Sequence, residues 1–182
     1  MCGRATLIVS GDELADVFDL QLLPELVPRF NIAPSQPLPI IRTPGHLELL
    51  PWGTKERRVI NVRLETATKK PENRCLVVVD GFYEWRAEDK QPLYFHRVDK
   101  KPFALGGVIM GMGSAIVTTK PLPGIVEVHD RMPLILSKKD WGAWLAGEKP
   151  APTLEGFESY PVSTVVNSPK NDDPRCIEPA VK

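Results

Sequence analysis

Two stretches of the chain place apolar residues at helical spacing. Ser10-Gly11-Asp12-Glu13 has the form of a capping box, and Leu14, Val17 and Phe18 follow it on one face. Ser137-Lys138-Lys139-Asp140 opens a second helix, with Trp141, Trp144 and Leu145 on one face and Gly147 as the stop. Elsewhere the pattern is that of strands, over 38–42, 47–52, 75–85, 92–98, 103–109, 114–119 and 132–136. The 19 prolines are roughly twice the usual share. They punctuate the chain throughout and argue for short strands and rigid loops rather than a helical bundle. The expectation is an α+β fold, a single domain over 1–182 with a largely antiparallel, barrel-like β core and a few peripheral helices.

Composition narrows the functional classes. An apolar fraction of 42% and a charged fraction of 25% are those of an ordinary globular domain. Lys+Arg equals Asp+Glu at 23 each, so a nucleic-acid site would be a local basic patch and not a global field. No apolar run approaches membrane-spanning length and no signal-peptide pattern opens the chain, which predicts a cytoplasmic protein without membrane association. Cys2, Cys75 and Cys176 form no CxxC, and His46, His96 and His129 lack zinc-ligand spacing. Free thiols, no metal and no cofactor are expected, with Cys75 in the core. A monomer is the default.

The candidate chemistry starts at Met1-Cys2-Gly3-Arg4. With Met1 removed, Cys2 would carry an α-amine and a thiol on adjacent carbons. Such a pair condenses with an aldehyde to an imine and then closes to a five-membered thiazolidine. A neighbouring cation such as Arg4 would lower the thiol pKa. Three further segments carry reactive groups. In Ile60-Asn61-Val62-Arg63-Leu64-Glu65-Thr66 an extended chain would put Asn61, Arg63 and Glu65 on one face. Residues 55–74 hold seven basic and three acidic side chains, a stretch suited to phosphate contact. In Asp80-Gly81-Phe82-Tyr83-Glu84-Trp85, a carboxylate between aromatics would be desolvated and its pKa raised toward neutrality. Tyr83 and Trp85 alternatively offer a base-stacking face. In Val128-His129-Asp130-Arg131-Met132-Pro133, His129 is flanked by a carboxylate and a guanidinium and titrates in the useful range.

Together these segments resemble the SRAP family (SOS response-associated peptidase domain), over nearly the whole chain. Met1-Cys2-Gly3-Arg4 is similar to the family start, and Arg29-Phe30-Asn31-Ile32-Ala33-Pro34-Ser35-Gln36 to its early loop. Pro51-Trp52-Gly53 resembles its tryptophan-glycine turn, and Asn61-Val62-Arg63-Leu64-Glu65-Thr66 its asparagine motif, where Ala is commoner than Val62. The glutamate motif is similar to the segment ending in Glu84-Trp85, and the histidine motif to His129-Asp130-Arg131-Met132-Pro133. Val166-Asn167 with Asn171-Asp172 resembles its C-terminal loop.

The resemblance implies a protein that shields abasic sites in single-stranded DNA during the DNA damage (SOS) response. It implies that Cys2 forms a thiazolidine DNA–protein cross-link, that Glu84 shuttles protons, that His129 assists sugar ring opening and that Asn61 orients the adduct. Arg4, Arg63 and Arg131 are implied phosphate contacts, and Pro34, Trp52 and Trp85 residues that shape the strand path. The implied partner is abasic single-stranded DNA, which would hold the protein at the nucleoid. The chain departs from the family after Gly53. Members usually have a longer insert there, whereas here Gly53-Thr54-Lys55 runs almost directly into the asparagine motif. The implied enzyme cross-links abasic sites, with lyase activity as a side reaction and autoproteolytic removal of Met1. Two alternatives stay open: an N-terminal-nucleophile cysteine peptidase acting on itself or on peptides, and a non-catalytic single-stranded nucleic-acid-binding module.

Overall fold

The computed structural model describes residues 2–54, 59–67 and 70–180. The strands are β1 (Arg4–Leu7), β2 (Arg29–Ile32), β3 (Pro37–Thr43), β4 (His46–Pro51), β5 (Asn61–Arg63), β6 (Arg74–Val79), β7 (Gly81–Trp85), β8 (Pro92–Arg97), β9 (Phe103–Met110), β10 (Gly113–Thr119), β11 (Met132–Pro133), β12 (Ile135–Leu136) and β13 (Phe157–Pro161). The helices are α1 (Gly11–Phe18) and α2 (Trp141–Leu145).

Both helices arise where their apolar spacing predicts. In α1, Ser10 Oγ accepts from the Glu13 N–H at 3.2 Å, and Leu14 and Phe18 are buried. The second is preceded by a 3-10 turn at Lys138–Asp140, because the Ser137 hydroxyl donates to Asp140 Oδ2 instead of capping a backbone N–H. Trp144 is the anchor of α2. Its indole N–H donates to the Cys75 carbonyl at 2.9 Å, and the Arg74 guanidinium lies 3.8 Å over its ring. Arg74 also donates to the Trp144 carbonyl in the last turn of α2 and to the carbonyls of Gly147 and Glu148 just beyond it.

The strands form two sheets. A five-stranded sheet runs β13-β8-β7-β1-β2, and a larger one runs β11-β10-β9-β6-β3-β4, with β12 on β9 and β5 on β10. All ladders are antiparallel except β5 on β10. The expected barrel is not present: neither sheet is closed into one. The large sheet curls until Trp52, just past its edge strand β4, meets Ser114 of β10, but this contact is a single bridge and not a ladder. Two glycines permit the approach. A side chain at Gly113 would lie 2.1 Å from the Gly53 carbonyl oxygen, and Gly53 itself has φ +97°. The small sheet is open because β2 and β13 are its ends.

The expected strand 75–85 is two strands. β6 is buried along its whole length, and the chain leaves it at Asp80 to enter the other sheet as β7. A continuous apolar run fits either one long buried strand or two short ones, so periodicity does not show the crossing. Residues 132–136 likewise divide into two short strands on different partners, β10 and β9. The crossing at Asp80 carries the chain, and Glu84 with it, from the large sheet to a position beside the N-terminal strand β1. β1 pairs with β7 through Arg4–Tyr83, Ala5–Phe82 and Thr6–Gly81.

Candidate active site

Cys2 lies just before β1 and is fully buried. Burial, reinforced by the charge of Glu84, pushes its thiol well above the ordinary cysteine value. Its carbonyl accepts a hydrogen bond at 2.9 Å from Nδ2 of Asn61, the first residue of β5. Asn61 Oδ1 is also buried and has no hydrogen-bond partner among the described residues. Parallel pairing with Ile116 of β10 holds Asn61 in place.

Glu84 comes from β7, one residue beyond Tyr83, which pairs with Arg4 of β1. It is 1% exposed, and burial lifts its carboxyl to about 7. A carboxyl so placed is divided between acid and base at neutral pH. Asp130 adds to the same upward push, which brings the histidine segment into the electrostatic reach of Glu84. His129 Nδ1 sits 2.7 Å from Asp130 Oδ1 and 3.1 Å from the Arg131 N–H, which donates to it. Burial lowers the His129 pKa more than Asp130 raises it, so the neutral imidazole is favoured.

The cations are less free than their sequence positions suggest. Arg131 forms a two-toothed pair with Glu65, at 2.8 and 2.9 Å, and donates to the Thr118 carbonyl at 2.7 Å. Its hydrogen bonds hold the Glu65 carboxyl near about 2. Arg63 pairs in register with the same Thr118 and is exposed. Arg4 donates to the carbonyls of Val166 and Asn167 and to Asn31 Oδ1, and lies 5.8 Å over the Trp85 ring. Within the basic stretch 55–74, Lys55, Arg57, Arg58 and Lys69 lie outside the described residues, as does the shortened loop after Thr54. Arg74 is a core residue and offers no charge to a ligand.

Trp85 donates its indole N–H to Asn167 Oδ1 at 2.8 Å and is partly exposed beside Arg4. Trp52 is buried, with its N–H on the Ile60 carbonyl at 3.0 Å, so it supports the site from beneath and presents no face to a strand. Pro34 is half-buried in a turn tied to Trp52 on both sides, by Ser35 N–H to the Trp52 carbonyl and Trp52 N–H to the Gln36 carbonyl.

Two residues matter more than their sequence context indicates. Asn31 Nδ2 donates to the carbonyls of Val166, Ser168 and Asn171, and Asp172 Oδ1 accepts from the N–H groups of Phe30 and Asn31. They fasten the C-terminal loop to β2, forming the wall on which Arg4 and Trp85 rest. The one local signal was a fully polar side chain inside a strand that is otherwise apolar at Phe30 and Ile32. All three cysteines are free and buried, and Cys75 is pushed up to about 12. Among the described residues no cluster of His, Cys, Asp or Glu is placed to hold a metal, and no helix is long and apolar enough to cross a membrane.

A family profile described as SOS response associated peptidase (SRAP) matches residues 1–169. The abasic site processing protein YoqW of Bacillus subtilis is 32% identical over 222 aligned residues, covering 98% of this chain and 99% of its own. The abasic site processing protein YedK of Escherichia coli is 32% identical over 221, covering 98% and 100%. Both aligned lengths exceed the 182 residues of this chain, so both relatives carry segments that it lacks. A solved protein from Bacteroides thetaiotaomicron superimposes with a TM-score of 0.81 at 19% identity, covering 99% of this chain and 100% of that one, and shares the fold. A phage-related protein from Bordetella bronchiseptica has a TM-score of 0.70 at 30% identity, covering 88% and 94%.

Proposed function

The chain belongs to the SOS response-associated peptidase (SRAP) family, and from that premise we propose that it is an abasic-site processing protein which cross-links itself to abasic single-stranded DNA through Cys2. It does so as a cytoplasmic monomer, one domain over 1–182, after removing its own Met1, a residue outside the described set. The α-amine of Cys2 adds to the C1 aldehyde of the ring-opened deoxyribose. Glu84 in its acid form protonates the departing hydroxyl, water leaves, and the Glu84 carboxylate takes the proton from the iminium nitrogen, so that an imine remains. The Cys2 sulfur then adds to the imine carbon, its proton passes by way of Glu84 to nitrogen, and the thiazolidine ring is closed with one water lost overall.

A single observation carries this reading: Cys2 and Glu84 are buried together, and the carboxyl sits at about 7. A thiol held in its protonated form needs a neighbouring base when it attacks, and Glu84 is that base. Asn61 fixes the Cys2 backbone through its carbonyl. Neutral His129 transfers the proton that opens the hemiacetal. Arg4, Arg63 and Arg131 receive the phosphates, Trp85 and Pro34 border the strand, and Trp52 holds the Pro34 turn from below. Strand cleavage by β-elimination starts from the same imine, so the sulfur that closes the ring also suppresses this lyase side reaction. A peptidase acting on other chains would require an activated thiolate, and burial works against one here.

The test is incubation with single-stranded DNA bearing one abasic site. The expected product survives denaturing electrophoresis without borohydride, has the summed mass less Met1 and one water, and is absent with Cys2→Ala. Folded, Met1-free protein that gives no adduct would overturn the reading.

A further inference from the structure

We infer that Asp80 and Thr6 are positioning residues for cross-linking: they lock the register of the strand that carries Cys2 against the strand that carries Glu84. The inference rests on the reaction proposed above. Asp80 occupies the crossing between β6 and β7 and is 5% exposed. Its Oδ1 accepts from the Thr6 hydroxyl in β1, and its Oδ2 accepts from the N–H groups of Ile8 and, at 2.9 Å, Val9. Its own N–H donates to the Thr6 carbonyl at 3.1 Å. Tyr94 completes the chain, its hydroxyl 3.0 Å from Thr6 Oγ1.

A clamp is needed here because the ladder it ends is short. Only three residue pairs join β1 to β7, and on its other side β1 meets β2 through an irregular register between Ala5 and Leu7. A slip by one residue would move Cys2 by about 3.3 Å and turn alternate side chains to the opposite face. The Asp80 carboxylate holds one end of β1 at the point where the chain enters β7, and Glu84 lies further along that strand. None of these groups reaches the reacting atoms, so they act through Cys2 and Glu84 alone.

The experiment measures single-turnover cross-linking at saturating abasic single-stranded DNA, with affinity for undamaged strand measured alongside. Thr6→Val and Asp80→Asn are expected to lower the rate constant by about tenfold to a hundredfold, as a misplacement of about 1 Å does. Affinity for undamaged strand stays unchanged, and Thr6→Ser, which keeps the hydroxyl, restores the rate. A role in stability alone would reduce the amplitude of the reaction and leave the rate constant of the folded fraction intact. Wild-type rate constants in both variants would overturn the inference, and if Asp80→Asn does not fold, Thr6→Val decides by itself. Failure of the wild type to cross-link at all would instead overturn the proposed function.

Discussion

At the residue scale the site depends on one buried carboxyl. Glu84 titrates at about 7 in the folded chain, against an ordinary value of 4.5, and burial is the main cause. Its folded pKa is raised, so the native state binds more protons than the unfolded chain between these two values. The sign follows directly: stability is greatest below the unfolded pKa and falls as pH rises through about 7. The ionised carboxylate then costs about 3 kcal/mol, at about 1.4 for each pKa unit. Glu84→Gln removes that cost. Thermal unfolding of Glu84→Gln and wild type is therefore expected to coincide at about pH 4 and below, and to separate in favour of the variant near pH 8. Cross-linking by the variant should be slow and lose its inflection near pH 7. Equal melting curves at both pH values would mean that Glu84 is solvated. The raised carboxyl is thus a cost to the fold, and in the proposed reaction it is the proton carrier.

At the element scale, the crossing at Asp80-Gly81 leaves no room for an added side chain. A side chain on Gly81 would meet the Tyr94 ring at 2.3 Å, and Tyr94 is held by Thr6 and by stacking on His96. Gly81→Ala is expected to destabilise by about 1–3 kcal/mol, the usual range for overpacking, and urea unfolding would register it. Much of this scale was legible in the sequence. The capping box before Leu14, the tryptophan face of α2 and most core strands stand where the apolar spacing predicts. The short strands β1, β2 and β13 were not, because their pairing depends on distant partners and their own patterns are brief. Closure of the sheet was also illegible, since strand count and spacing do not determine whether two edges join. The candidate side chains could be picked out from their motifs, whereas the partners the fold gives them could not. Nothing local couples Glu65 to Arg131, 66 residues away, or Arg4 to the carbonyls of Val166 and Asn167.

At the scale of the whole molecule, the charges balance at 23 and 23, so no global field draws DNA in. In the proposed function binding rests on Arg4, Arg63 and Arg131, two of which already have acceptors within the protein. Three neutralised phosphates on a single strand predict a slope of log K against log salt near −2, at about 0.7 per phosphate. Fluorescence anisotropy across a salt series measures it, and a slope steeper than about −4 would require cations from the stretch 55–58 as well. The fastening of the C-terminal loop also bears on where the functional unit ends. The family match stops at residue 169, before Asp172, whose carboxylate receives the N–H groups of Phe30 and Asn31 and the guanidinium of Arg29. A proteolytic nick between the two would leave every reactive side chain on the larger fragment. It would also orphan the donors of β2 and release the wall behind Arg4 and Trp85, so the fragment would keep its chemistry and lose its grip on the strand.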